Sequence, residues 1–138
     1  MFLEEELSYR VRGIFIDVSR RYGPLHKECV YERACCEGLL SAGISFVAQP
    51  RVCVHSLDTG SVLATYVPDL IVAGLVMVEL KAVPVLHASA LMQLEQYLRA
   101  TEYEVGFLVN FGKPKAEIFR RIYTNDRKQW CKSEETKQ

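Results

Sequence analysis

The sequence predicts an α/β fold, a mixed β-sheet flanked by helices in the order ααβββαββ. Three observations carry this reading. Two amphipathic helical stripes open the chain, β-branched and alternating residues take over near residue 44, and a third helical stripe then separates these strands from two more. With 138 residues and 49% hydrophobic side chains, the chain is long enough to build one domain around a proper core. That domain is expected over residues 1–123, with 124–138 as a polar C-terminal tail.

In the first stretch, "LEEELSYRVRGIFIDVSRRYG", apolar residues recur at Leu7, Val11, Ile14, Phe15 and Val18, and Gly23 and Pro24 stop the helix. "HKECVYERACCEGLLSAG" repeats the pattern through Cys29, Val30, Ala34, Leu39 and Leu40 until Gly43 ends it. Three strands in a meander follow: "ISFVAQPRVCVHSL", a turn at "DTGS", "VLATYVPDLIV", a short "AGL", then "VMVELKAV". "VLHASALMQLEQYLRAT" returns to helical spacing through Leu86, Ala90, Leu91, Leu94 and Leu98. The strands "YEVGFLVNFG" and "AEIFRRIY" complete the sheet across a turn at "GKPK". Beyond Thr124 the chain is polar and expected to fray, although Trp130, the only tryptophan, could dock.

Net charge is zero with a pI near 6.8, so no global field draws the chain to nucleic acid or to an anionic membrane. The balance is uneven: residues 1–112 carry 9 basic and 13 acidic side chains, residues 113–138 carry 8 and 4. The C-terminal cluster of Lys113, Lys115, Arg120, Arg121, Arg127 and Lys128 could track a phosphate backbone. The solvated edge of the last strand is the preferred reading, with one of Arg120 and Arg121 against the covered side of the sheet. The opening "MFLEEELSYR" is an acidic helix start rather than a signal segment, and the longest uncharged run, Leu70 to Val78, falls short of the ~20 residues of a membrane helix. A cytoplasmic protein without membrane contact is expected. Five cysteines without a CxxC pair read as reduced thiols, and no His or Cys spacing suits zinc.

Residues 66–83, "YVPDLIVAGLVMVELKAV", place Asp69, Glu79 and Lys81 inside an apolar run. Strand alternation puts Glu79 and Lys81 on one face. If "AGL" is a three-residue hairpin loop, Val72 pairs with Val76, and counting outward sets Asp69 opposite Glu79. Opposed like charges are destabilising, ~4.5–5.5 Å apart at Cβ. Lys81 compensates in part; a Mg²⁺ or Mn²⁺ ion between the carboxylates would supply the rest. The competing reading is a solvated hairpin face with Lys81 as counter-ion, and spacing alone favours it, because an acid followed ten residues later by ExK is a weak pattern. Glu28 and Tyr31 share a face of the second helix, and Gln93 and Tyr97 share one of the third.

These blocks, "YRVRG", "YGPLHKECVYERA", "GISFVAQ", "YVPDLIV", "VELKAV", "QLEQYLRAT" and "GFLVNFG" followed by "RRI", resemble the GxxExxY family of the PD-(D/E)xK nuclease superfamily from about Leu7 to Ile122. The resemblance implies a restriction-endonuclease-like core in which Asp69 and Glu79 bind Mg²⁺ or Mn²⁺ and Lys81 positions or activates the attacking water. It implies that Glu28 adds to the metal site with Tyr31 as its partner, that Gln93 and Tyr97 support the site, and that Gln93, Tyr97 and Tyr31 contact substrate. Leu25 stands where the family's naming glycine would be, while Gly23 and Pro24 remain. The implied activity is metal-dependent hydrolysis of phosphodiesters, in DNA rather than RNA.

A catalytically silent nucleic-acid or protein interaction module on the same fold is the first alternative, since the chain has no net positive charge; a homodimer or a protein partner could supply the missing basic surface. The intact Asp69, Glu79 and Lys81 speak against it. A cysteine enzyme is the second alternative, but Cys35 and Cys36 lie mid-helix and His26, His55 and His87 show no spacing that names a base, His87 reading as a surface or capping residue.

Overall fold

The first apolar stripe closes into helix α1 (Phe2–Tyr22) in the computed structural model, which describes residues 2–136 and the side chains of residues 4–132. Leu7, Val11, Phe15 and Val18 are buried along it, each contributing ~1.5–3 kcal/mol on leaving water. Helix α2 (Glu28–Ser41) packs on α1. Their approach is close because position 38 is glycine; a Cβ there would stand 2.8 Å from Cγ2 of Ile14.

The strands are β1 (Phe46–Ala48), β2 (Val52–His55), β3 (Val62–Tyr66), β4 (Leu70–Val72) and β5 (Val76–Lys81). Helix α3 (Ala88–Ala100) then leads to β6 (Val105–Asn110) and β7 (Glu117–Ile122). Five of them form a mixed sheet, ordered β1-β4-β5-β6-β7, parallel only between β5 and β6. β2 and β3 form a separate hairpin. The expected three-strand meander is therefore five strands in two sheets. Its first long strand breaks at Gln49, φ 52°, and Pro50; its second breaks at Val67 and Pro68. Proline has no amide hydrogen for the ladder, which is why both runs stop there.

Two cores lie on opposite faces of the main sheet. Phe15, Tyr31, Leu80 and Phe107 belong to the one under α1 and α2; Met77, Leu94, Leu98 and Leu108 belong to the one under α3. Alternation along β5 and β6 assigns each side chain to its face. Strand β7 is the sheet edge, as the sequence suggested for its basic residues. Arg120 donates from Nε to Ser8 Oγ on α1 (3.1 Å), and Arg121 pairs with Glu95 on α3 (3.1 Å), so the two arginines leave from opposite faces.

The expectation of a frayed tail is overturned for residues 125–132. A 3₁₀ turn (Asn125–Arg127) leads into helix α4 (Gln129–Thr136). Trp130 is 3% exposed, stacks on His55 with centroids 4.2 Å apart, and donates from Nε1 to the Arg99 carbonyl at 2.8 Å. Lys128 is buried too, its Nζ donating to the carbonyls of Thr101 (2.7 Å) and Tyr103 (2.9 Å) and to Asn125 Oδ1 (2.7 Å). A polar segment is thus held by two buried side chains. Cys29, Cys35, Cys36 and Cys53 are free thiols, and no helix among the described residues is long and apolar enough to cross a membrane.

Candidate active site

The turn between β4 and β5 sets the register of the acids. Val72 pairs with Val76, Ile71 with Met77 and Leu70 with Val78. The tip passes through Ala73 and Gly74, with φ of 53° and 67°, and Leu75. One position further out, the carboxylates of Asp69 and Glu79 lie on the face that Ile71 and Met77 present to α3. Lys81 shares that face.

Asp69 is fixed at three points. Its amide donates to Oε1 of Glu79 (3.0 Å), its Oδ2 accepts the amide of Leu80 (2.7 Å), and its carbonyl accepts the amide of Gln49 (2.8 Å). The second oxygen of Glu79, Oε2, accepts a short hydrogen bond from the Tyr66 hydroxyl. The Tyr66 ring stacks on Tyr97, centroids 3.5 Å apart and planes 12° from parallel. This contact joins the hairpin, the main sheet and α3 at the site. Tyr66 escaped the sequence reading; its one signal is a position three residues ahead of Asp69, and the break at Pro68 hides where it points.

Burial is the main cause that raises the pKa of each of the three acids. For Glu28 the Asp69 charge adds to it and Lys81 opposes it. For Asp69 the Leu80 amide and the Lys81 charge oppose it. For Glu79 the Tyr66 hydroxyl and the Asp69 amide hold the carboxylate down most, the Asp69 charge pushes it up, and Lys81 again opposes. Tyr66 is itself pushed well above the ordinary phenol range by burial and by its bond to Glu79. Glu28, Asp69, Glu79 and Lys81 therefore share one electrostatic neighbourhood, in which Lys81 acts through space rather than by a direct ion pair.

The remaining sequence candidates divide. Tyr31 has no exposed surface: its hydroxyl donates to the Gly23 carbonyl and accepts the His26 amide (3.1 Å), and its ring stacks on Phe111 (4.6 Å). It holds the turn into α2 from beneath, where a substrate does not reach. That turn runs through Gly23, φ 70°, and leaves Leu25 95% exposed, so it closes without a glycine at position 25. Gln93 is exposed and lines a groove of about 420 Å³ together with Lys81. Tyr97 is half covered by Tyr66. Asn110, cross-strand neighbour of Lys81, is a further residue the sequence reading missed. Its amide bonds both the N–H and the carbonyl of Val83 at 3.0 Å, fixing the chain as it leaves β5.

Carboxylates are the hard donors that Mg²⁺ and Mn²⁺ take. Oδ1 of Asp69 and the Glu28 carboxylate form no hydrogen bond among the described residues, whereas Glu79 has both oxygens engaged. Among the described residues, no three His, Cys, Asp or Glu side chains stand together as a ready cation cluster. The fit to a divalent ion lies in donor type and shared charge.

A family profile described as the PD-(D/E)XK nuclease superfamily matches residues 5–122. No curated protein and no solved structure matches the chain.

Proposed function

The chain belongs to the PD-(D/E)XK nuclease superfamily, and from that premise we propose that it hydrolyses phosphodiester bonds in DNA at Asp69, Glu79 and Lys81. The observation that carries the proposal is the β4–β5 register, which brings two acids and a lysine onto one face. The superfamily is typically metal-dependent, and Asp69, Glu79 and Glu28 are the residues that would hold Mg²⁺ or Mn²⁺. Bound there, such an ion would polarise a phosphoryl oxygen and acidify a water.

The chain's own groups do the rest. Lys81 places a positive charge where negative charge develops on the phosphate. Tyr66 and the Asp69 amide orient Glu79, and Tyr31 fixes the turn that delivers Glu28. Gln93 and Tyr97 contact the substrate from α3. The finer kinship, with the GxxExxY branch, is supported by Glu28 and Tyr31 standing one turn apart at the start of α2. Free thiols support the cytoplasm as the compartment.

A catalytically silent module is the second reading, favoured by the engagement of both Glu79 oxygens by protein donors. Calorimetric titration of Mn²⁺ into the wild type, Asp69→Ala and Glu79→Ala separates the two. Heat in the wild type alone supports the metal site; no heat in any of them selects the silent module. With Mn²⁺ and DNA, Lys81→Ala should cleave at least ~10²-fold more slowly; equal rates would end the hydrolase proposal. A cysteine nucleophile finds no support: Cys35 is fully buried and its thiol is pushed far up by burial.

A further inference from the structure

We propose that the groove between α3 and the β2–β3 hairpin is a track for a single nucleic-acid strand, held through its bases and leading to Lys81. The identity of the occupant rests on the nuclease reading above; the groove itself does not. Two depressions, of about 420 Å³ and about 500 Å³, flank the outer side of α3 and share Gln93 and Gln96. The first is lined by Lys81. The second is walled by Leu57 and Leu63 of the hairpin and by Tyr97, which stacks on the Tyr66 that holds Glu79. The track thus meets the site twice, at Lys81 in the first depression and, through the Tyr97–Tyr66 stack, beside the residue that holds Glu79 in the second. Each depression falls in the ~300–1,000 Å³ range of small-ligand pockets, room for about one nucleotide apiece.

The chemistry of the walls selects a single strand. Leu57 and Leu63 are 51% and 70% exposed, apolar surface that gains by covering the face of a base. Gln93 and Gln96 offer neutral donors and acceptors suited to base edges. Among the described residues, Lys81 and Arg99 are the only Lys or Arg lining the two depressions. A duplex hides its base faces and presents phosphates, which call for a row of basic side chains. The arginines of β7 do not supply one here, since Arg121 is tied to Glu95 and Arg120 leaves from the opposite face.

The test is fluorescence anisotropy in EDTA, which removes hydrolysis from the measurement, with a labelled thymidine oligonucleotide of about 12 nucleotides and a duplex of equal length. The wild type should bind the strand at least ~10-fold tighter than the duplex. Two lysine or arginine contacts at ~0.7 per phosphate predict a log–log salt slope of about −1.4. Leu57→Ser/Leu63→Ser and Gln96→Ala change exposed side chains and should each weaken strand binding by ~5-fold or more, with unchanged circular dichroism. No strand binding, equal or tighter duplex binding, a slope steeper than about −4, or wild-type affinity in both variants would overturn the proposal. Strand binding without Mn²⁺-dependent cleavage would sustain the track and remove the hydrolase. Cleavage with KM unchanged in both variants would do the reverse.

Discussion

Replacing Tyr66 by Phe deletes one oxygen and leaves the ring stacked on Tyr97. What is lost is the donor to Oε2 of Glu79, a carboxylate that burial already disfavours in its charged form. A hydrogen bond to a charged group contributes ~1.5–3 kcal/mol, and because Glu79 keeps some contact with solvent the lower part of that range, ~1.5–2 kcal/mol, is expected. In urea at pH 7 with EDTA, an m-value of ~1–3 kcal/mol/M turns this into a midpoint lower by about 1 M. Packing changes could imitate that loss, so the assay is a double-mutant cycle with Glu79→Gln, which keeps an acceptor oxygen and removes the charge. The coupling should be about 1 kcal/mol, the excess of a charge-assisted over a neutral bond. Additivity within ~0.3 kcal/mol would refute the reasoning.

The acids give a pH signature whose sign follows from their raised pKa values. Above their ordinary values of 3.8 for Asp69 and 4.5 for Glu79, the folded metal-free protein holds protons that the unfolded chain has released, so stability falls as pH rises through that window. Thermal melts from pH 4 to 7 in EDTA should show the stability of wild type relative to Glu79→Gln decreasing with pH; an increase contradicts the assignment. Gly112→Ala would place a Cβ 2.2 Å from the Val83 carbonyl and 2.5 Å from its nitrogen, a backbone clash expected to cost more than ~2 kcal/mol in urea denaturation. Trp130→Ala should cost ~3–5 kcal/mol, as for a buried aromatic; a loss near zero would mean that α4 does not hold the hairpin and α3 together in solution.

How much of this was legible depends on how far each signal travels. The apposition of Asp69 and Glu79 follows from local counting around a three-residue turn, and Gly74 marks where to count from. The α1 stripe is likewise local: Leu7, Val11, Phe15 and Val18 fall on one face at helical spacing. The division of the meander was also written in the chain, at Pro50 and Pro68, but weighting β-branched content over those two prolines merged the strands. Tyr66, Asn110 and Lys128 were not legible, since each acts on residues brought to it by the fold. Tyr66 reaches Glu79 from the other sheet, Asn110 spans 27 positions to Val83, and Lys128 spans as many to Thr101. Trp130 lies between the cases: a lone tryptophan in a polar stretch says that something must cover it, but not what.

The hairpin behind the acids works as a ruler with one soft segment. Residues added between 72 and 76 lengthen only the bend and leave the partners beyond it aligned. One residue added within 76–78 would turn Glu79 toward the α1 and α2 side while Asp69 stayed where it is, because side chains on a strand alternate. The ten-residue interval between the acids can therefore stretch at the bend, but a single insertion in either arm separates the pair.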